Sequence, residues 1–515
     1  MQRNTRNLLT TLVGAGALVL AASAPSFALD LPQKYKMDMG PLGTWSIVGG
    51  LEAELAGWNN APHTCNGNGL SGNCSSLPGT HSKNDPAAPL AGGGSSTTGD
   101  LNLTNAIFII SNDSLFGLPL SFDAWIGEPP QTPVIGYTSA NVAPNLYSSG
   151  GWHGLNNTGA ASFCFKCNVT WAPGFAPWFS LSAGRLPSPD GTEVGVGWFN
   201  ALPFLSDLNN MQTTVADGAQ VNFSMPGDNS FYWGFVPGYA STLSIRIADG
   251  YKTGHMNELG FTGLWNLTPD GSDFIVAYGH TRLSTVGNAT TVAKGPPGAS
   301  TTNYGGVNPY AVGGFGTFNS NLIGVGTVFN LTNRLVMNAE VETQWLPQSD
   351  IPVADRCGTT ANPCDGKSQQ DYYRWSTQWT FAYDFGIKQI GGAPVRVGFA
   401  VQPSFTYQHG NTSDPNGNQF GNYLGLNVSD LGSNAGGDVG TFGTFGQGSK
   451  MWAIQFGPSF QMYNAFVRPT LAWTHLASID TGFGYGDQGN THDQVVLMLD
   501  FGWLLGKLEK GDTGQ

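Results

Sequence analysis

RWSTQWTFAYDF, residues 374–385, alternates polar and apolar side chains along most of its length. Trp375 and Trp379 fall on one face of this stretch, and Arg374 and Gln378 fall on the other. An alternation of polarity with a period of two residues predicts a β-strand with one polar and one apolar face. At about 3.3 Å per residue, a strand of this length is longer than usual and long enough to cross a bilayer when tilted.

The same pattern recurs along the chain and predicts about 16 strands. The clearest runs lie in the C-terminal half, at 333–346, 374–385, 395–408, 451–462, 466–475 and 494–505. Weaker candidates precede them at 43–55, 104–112, 119–127, 177–186, 219–226, 230–238, 242–251, 258–268, 272–283 and 319–331.

The connections between these strands alternate in length. Those that follow the odd-numbered strands are mostly long and rich in Gly, Asn, Ser and Pro, whereas most of the others are short. This asymmetry is typical of outer-membrane barrels and less so of a soluble β-sandwich. One connection, 187–218, is long although it follows an even-numbered strand and should therefore be short. It is either a plug or a missed hairpin near 194–200, which would give about 18 strands.

Composition supports a barrel whose outer surface meets lipid. Charged residues make up 11% of the chain, against about 25% in ordinary globular domains. The formal net charge of −13 argues against nucleic acid as a partner.

Residues 1–28 have the basic start, apolar middle and small-residue end of an export signal. We therefore predict a cleaved signal peptide, 1–28, and a single domain, 29–515, forming an all-β, transmembrane, antiparallel up-and-down barrel in a bacterial outer membrane.

Six cysteines form three pairs that are close in sequence. In an exported protein such pairs favour disulfides, and a metal or redox site is the alternative. The predicted pairs are Cys65 with Cys74, Cys164 with Cys167, and Cys357 with Cys364. The connection pattern places all three pairs in long external loops.

The sequence contains no established catalytic or metal-binding motif. The H-E-x-x-H, G-x-S-x-G and phosphate-binding P-loop patterns are all missing from it. The alternation puts His280 and His475 on lipid-facing surfaces, as girdle residues rather than bases. We expect no enzymatic activity, no cofactor and no bound metal.

Charged residues on the polar strand faces are the candidate pore lining: Arg246, Arg334, Glu340, Glu342, Arg374, Asp384, Arg396 and Arg468. Opposed basic and acidic rows would create a transverse field across the water. The alternative is a set of ion pairs on a wetted wall with no selective role. Either 128–176 or 187–218 could fold inward and narrow the pore.

Two stretches resemble the outer-membrane β-barrel porins of the OmpL-like type. They are SLSAGRLPSPDGTE, residues 180–193, and the turn region 245–260, where Asp249 stands in place of the family's amide. The chain also departs from the common barrel end, because a polar tail, 506–515, follows Trp503. The resemblance covers about 90 residues and implies passive diffusion of small hydrophilic solutes.

The predicted function is therefore a passive porin whose partners are outer-membrane lipid and small hydrophilic solutes, with a homotrimer left open. The alternative function is an outer-membrane barrel that acts through its long loops in adhesion or binding.

Overall fold

The structure is a computed structural model. The described residues are 29, 34–59, 98–112, 114–128, 135, 164–176, 178–187, 191–193, 197–206, 208, 215–225, 241–251, 256–268, 272–285, 317–346, 372–409, 450–478 and 491–506. The predicted export signal, 1–28, lies outside them, and so do Cys65, Cys74, Cys357 and Cys364.

Seventeen strands are described, one short and sixteen long enough to form a wall. They are β1 (Tyr35–Asp38), β2 (Thr44–Trp58), β3 (Thr98–Asn112), β4 (Leu120–Glu128), β5 (Cys164–Trp171), β6 (Phe179–Pro187), β7 (Val215–Met225), β8 (Ser241–Tyr251), β9 (Met256–Asn266), β10 (Phe274–Thr285), β11 (Thr317–Thr332), β12 (Leu335–Leu346), β13 (Tyr372–Ile390), β14 (Ala393–His409), β15 (Lys450–Met462), β16 (Ala465–Ser478) and β17 (Asp493–Leu505).

Strands β2 to β17 form a closed antiparallel sheet. Each pairs with the next along the chain. The ring is completed by β17, which pairs with β2 from Val496 opposite Trp58 to Leu505 opposite Gly49. Closure leaves no long open edge for another chain to pair with. The predicted all-β up-and-down barrel is therefore confirmed, and β1 adds a short pairing to the start of β2.

The strand count agrees with the prediction, but its membership differs. Strand β5 lies inside 128–176, which was predicted to be a loop, so that prediction was wrong. The predicted strand at 230–238 lies outside the described residues, and β7 pairs directly with β8. Including β5 moves the connection 188–214 to the long-loop end of the barrel. The proposed extra hairpin near 194–200 is also wrong, because Gly197–Phe199 forms a 3-10 turn.

Most connections at one end of the barrel are short, and 226–240 between β7 and β8 is the exception. Gly391 and Gly392 join β13 to β14, and both have positive φ, 61° and 84°. Two such residues in a row fit the two-residue hairpin turn that matches strand twist, and glycine adopts them without strain. Long connections follow β2, β4, β6, β10, β12, β14 and β16 at the other end.

The two faces of the wall are inverted relative to a soluble protein. On β15, the Trp452 side chain is 52% exposed on the outside, whereas Gln455 is fully buried inside. On β16 and β17, Arg468 is 1% exposed and Leu497 is 61% exposed. At these positions the polar side chains point into the barrel and the apolar side chains point out.

Aromatic side chains cover part of the outer surface. The ring of Phe405 lies 4.9 Å from that of Trp375 and 4.3 Å from that of Trp452, measured between centroids. These contacts run across β13, β14 and β15, and cross-strand aromatic pairs stabilise a sheet by up to about 1 kcal/mol each. In the described part of the chain, no helix combines the length and the apolar character needed to cross a membrane.

Candidate functional site: the barrel interior and its inward loop

The connection between β6 and β7 folds into the barrel. We call residues 188–214 the lumen loop, and 191–193, 197–206 and 208 are its described parts. Its backbone and side chains contact β12, β13, β14, β15 and β16. Because these strands follow one another around the wall, the loop stays inside the barrel rather than leaving its mouth.

Arg468 on β16 is the first anchor of the lumen loop. Its guanidinium donates to the backbone carbonyls of Asn200, at 2.8 Å, and Gly197, at 3.2 Å. The same group donates to Glu52 at 2.6 Å and to Asp500 at 2.5 Å. A planar guanidinium can serve several acceptors at once, so one side chain joins β2, β17 and the loop.

Gly197 has a packing reason for being glycine. A Cβ there would lie 2.6 Å from a carboxylate oxygen of Glu52, closer than real contacts allow. A side chain at position 197 would therefore force the Glu52 carboxylate, which Arg468 holds, to shift.

Glu340 on β12 is the second anchor. Its Oε2 accepts from the Thr192 backbone N–H at 2.9 Å and from the Thr192 hydroxyl at 2.7 Å. Tyr278 on β10 donates to Glu340 and also to Glu342, the latter at 3.0 Å. A carboxylate receiving several hydrogen bonds is well satisfied in a buried place, which fixes the start of the loop against β12.

Glutamines on neighbouring strands provide a third anchor. The side chain of Gln455 on β15 donates to the Phe204 carbonyl at 2.7 Å and accepts from the Phe204 N–H at 3.3 Å. It also donates to Gln402 on β14, which in turn donates to Glu193 of the loop at 2.7 Å. An amide side chain both donates and accepts hydrogen bonds. The Gln455 side chain can therefore satisfy the N–H and the carbonyl of Phe204 together, as a neighbouring β-strand would.

Apolar loop residues pack on apolar patches of the inner wall. Trp198 joins a cluster with Ile107, Ile109, Trp125, Phe466, Leu504 and Leu29. Phe204 packs with Ala453, Val496 and Met498, and with Ile135 from the β4–β5 connection. Leu208 packs with Phe274, Val276 and Tyr278. The core of this protein therefore lies inside the barrel, where these patches meet the loop.

Glu193 is a buried carboxyl group of the lumen loop. Its Oε2 accepts from the N–H and the hydroxyl of Ser206, at 2.9 and 2.6 Å. The pKa of Glu193 is raised to about 7, mainly by burial and also by the nearby charge of Glu340, while the hydrogen bonds from Ser206 and Gln402 act to lower it.

A solvent-connected pocket lies between the lumen loop and β11–β14. Glu193, Phe199 and Leu202 line it from the loop, and Asn338 and Gln402 line it from the wall. With Trp198 packed against Trp125 of β4 and Phe466 of β16, this free space lies to one side of the loop.

Four of the predicted lining residues are buried on the inner face. Glu340, Glu342, Arg374 and Arg468 are each at most 2% exposed. They do not form a single ring. Arg374 is near the long-loop end of β13, whereas Arg468 is near the start of β16 after a short turn. The predicted opposed basic and acidic rows are thus interrupted by ion pairs such as that of Arg468 with Glu52.

The remaining predicted lining residues lie nearer the barrel ends or cannot be placed. Asp384 and Arg396 form an ion pair of 2.9 Å near the short-turn end. Arg334 is exposed in the turn between β11 and β12, so its placement in the pore was wrong, because the strand alternation starts only at Leu335. Arg246 lies in β8 opposite Gln220, and its side chain is outside the described residues.

Lys166 is a lumen residue that the prediction missed because β5 was missed. Its ammonium lies 2.5 Å from Asp123 and 4.9 Å from the ring centroid of Trp125. The side chains of Thr192 and Glu193 were also missed, since a loop has no periodicity that would indicate which residues turn inward.

The two histidines differ in placement. His475 shares the outward face of β16 with Trp473 and stacks on it at 5.8 Å, as predicted. His280 is 3% exposed on the inner face of β10, so its lipid-facing assignment was wrong. The apolar face of β10 turns inward because it packs with Leu208 of the lumen loop.

The second cysteine pair lies in a strand. Cys164 and Cys167 belong to β5, so their placement in an external loop was wrong. Cys167 is disulfide-bonded, and its pairing with Cys164 stays a prediction, as do the other two pairs. Within the described ranges, no three His, Cys, Asp or Glu side chains are grouped in a way that could hold a metal ion.

The chain matches no protein-family model and none of the curated proteins. Among solved structures it is similar to a loop L8 deletion mutant of OmpT, an outer membrane protein of Vibrio cholerae, with 8% identity over 90% of this chain and 100% of that one and a TM-score of 0.43. Pseudomonas putida OprB gives 10% identity over 89% and 94% of the two chains, with a TM-score of 0.42. The outer membrane channel DcaP of Acinetobacter baumannii gives 8% identity over 91% and 99%, with a TM-score of 0.37. The fold assignment rests on this chain's own strand pairings, and the OmpL-like resemblance stays a prediction.

Proposed function

We propose that this protein is an outer-membrane porin through which small hydrophilic solutes diffuse passively. The observation that carries the proposal is the inverted barrel wall, with Gln378, Gln455 and Arg468 inside and Trp379 and Leu497 outside. Apolar surface costs free energy in water in proportion to its area, so a band of this kind is stable only against lipid.

A closed barrel is suited to lipid because every strand's backbone groups find partners within the sheet. The even number of barrel strands and the long loops at one end favour a bacterial outer membrane. The predicted export signal, 1–28, is consistent with this location. Both ends of the barrel domain lie at the short-turn end, which is the periplasmic side in this orientation.

The lumen loop sets the width of the proposed path. It is held by Arg468, Glu340 and Gln455 on separate strands, so it cannot leave the lumen without breaking several buried hydrogen bonds. Solutes would therefore pass beside the loop, along the cavity bordered by β11–β14. No step of this transport needs an energy source or a catalytic group, so we propose a channel and not an enzyme.

Purified protein reconstituted in planar bilayers tests the proposal. A porin should give discrete current steps that grow with salt concentration, and its band on a gel should shift on boiling. A folded, heat-modifiable barrel that gives no current in repeated insertions would contradict it and would favour the adhesion alternative. Cross-linking in native membranes distinguishes a homotrimer from a monomer.

A further inference from the structure

The cavity beside the lumen loop is lined by apolar side chains, a few neutral polar side chains and one carboxyl group. Phe199, Leu202 and Phe204 from the loop, with Val328 and Val336 from the wall, provide apolar surface. The polar part of the lining comes from amide and hydroxyl side chains and from the Glu193 carboxyl group. Such a mixture of apolar walls and a few placed polar groups is typical of a small-molecule site.

Glu193 is the only charged side chain among the described residues that line this cavity. Its hydrogen-bond partners, Ser206 and Gln402, are both neutral. The charged group whose electrostatic effect on Glu193 is resolved is another carboxylate, Glu340. Two like charges in a confined, poorly solvated place attract a cation and repel an anion more strongly than they would in bulk water.

We infer that this cavity is a solute subsite that takes small organic cations, with an ammonium group at Glu193 and an apolar body against Phe199 and Leu202. The inference rests on the proposed channel function and gives it a solute class. An ammonium group donates hydrogen bonds and carries a positive charge. The present hydrogen-bond partners of the Glu193 carboxylate are neutral, so they do not supply that charge. An anion of the same shape would bring a third negative charge beside Glu193 and Glu340.

Equilibrium binding tests the subsite without requiring conduction. The probes are 2-phenylethylammonium, 2-phenylethanol and 3-phenylpropionate, titrated at pH 8 into the full-length barrel in detergent, with empty micelles as the blank. The ammonium should bind at least about tenfold more tightly than the alcohol, since a charge-assisted hydrogen bond is worth more than a neutral one. The carboxylate should bind more weakly than the alcohol.

Three variants separate the parts of the site. Glu193→Gln keeps the shape of the side chain but removes the charge and replaces one acceptor oxygen with an NH2 group, so it should abolish the preference for ammonium over alcohol. Phe199→Ala should weaken ammonium and alcohol alike and keep their order. Asp38→Asn removes one negative charge from the exposed strand β1 and should change nothing.

The same probes in planar bilayers connect the site to transport. Phenylethylammonium should interrupt the current of the unmodified channel, and Glu193→Gln should raise the concentration needed by about tenfold. Equal binding of the three probes, or an ammonium preference that survives Glu193→Gln, would overturn the inference. A barrel that binds ammonium selectively but passes no current would instead overturn the channel function and leave the subsite standing.

Discussion

Replacement of Arg468 by alanine should release the lumen loop from β16. In the native barrel this guanidinium is 1% exposed and donates to Glu52, Asp500 and the carbonyls of Gly197 and Asn200. The variant leaves two carboxylates buried without their shared cation. It also leaves the two carbonyls without this donor.

The cost can be worked out from this geometry. Removing one member of a buried ion pair typically destabilises a protein by about 3–5 kcal/mol, because the remaining charge is left uncompensated. The two carbonyls add about 1 kcal/mol or more, and the effects are not additive, since the loop can move and admit water. We expect a total loss of about 3–5 kcal/mol in the free energy of unfolding. Once the loop is free to move, single-channel conductance should rise and fluctuate.

The assay combines urea unfolding in lipid vesicles, read by tryptophan fluorescence, with single-channel recording. The matched control is Arg396→Ala, which breaks an ion pair with Asp384 that is 15–25% exposed and does not involve the described part of the lumen loop. That variant should lose about 1 kcal/mol or less and keep the native conductance. If Arg468→Ala matches Arg396→Ala in both stability and conductance, the anchoring role of Arg468 is refuted.

Three further predictions concern other parts of the barrel. Because burial is the main cause that raises the pKa of Glu193 from its ordinary 4.5 to about 7, ionisation of this group opposes folding; its contribution to stability should be largest below pH 4.5 and fall by about 3 kcal/mol as pH rises through 7, and Glu193→Gln should remove this component from urea unfolding curves. Trp379→Arg on the outer face of β13 should cost about 2–4 kcal/mol in bilayers, whereas Ile390→Arg at the end of the same strand should cost about 1 kcal/mol or less; equal costs would contradict the lipid contact of Trp379. Replacing Cys164 and Cys167 by serine should lower stability by at most about 2 kcal/mol, because so short a loop gains little from a crosslink; a larger loss in urea unfolding would show another role for the pair.

The alternation of side chains predicted most of the wall correctly. From β12 to β17, each strand faces as its pattern indicated, because few forces compete with lipid outside and water or loop polar groups inside. Strand β5 was missed although Lys166 and Thr170 are buried while Val169 and Trp171 are partly exposed on the other face. The cysteine pair at its start favoured a loop interpretation, and the strand is short. The lengths of the connections could have revealed this strand. With one strand added before β6, the long connection 188–214 falls at the long-loop end, as the alternation of short and long connections requires.

The contacts of the lumen loop could not be predicted from the sequence. Alternation assigns apolar side chains to lipid, but Phe274, Val276 and Tyr278 of β10 face inward because Leu208 packs on them. His280 follows them inward for the same reason. The contacts that fix the loop, such as Thr192 with Glu340, join residues far apart in the chain and have no local signal. Inward-facing polar residues could therefore be predicted from the strands, whereas the loop partners that complete the site could not.

The orientation of the wall is tested most directly by a spin-label scan along β13 in lipid vesicles, with one cysteine-attached label at a time on a cysteine-free background. Labels at Thr377 and Trp379 should be broadened by oxygen dissolved in the bilayer and protected from a water-soluble nickel chelate. Labels at Ser376, Gln378 and Thr380 should be much less accessible to bilayer oxygen. Stronger broadening by bilayer oxygen at the second set than at the first would contradict an inverted barrel and, with it, the proposed channel.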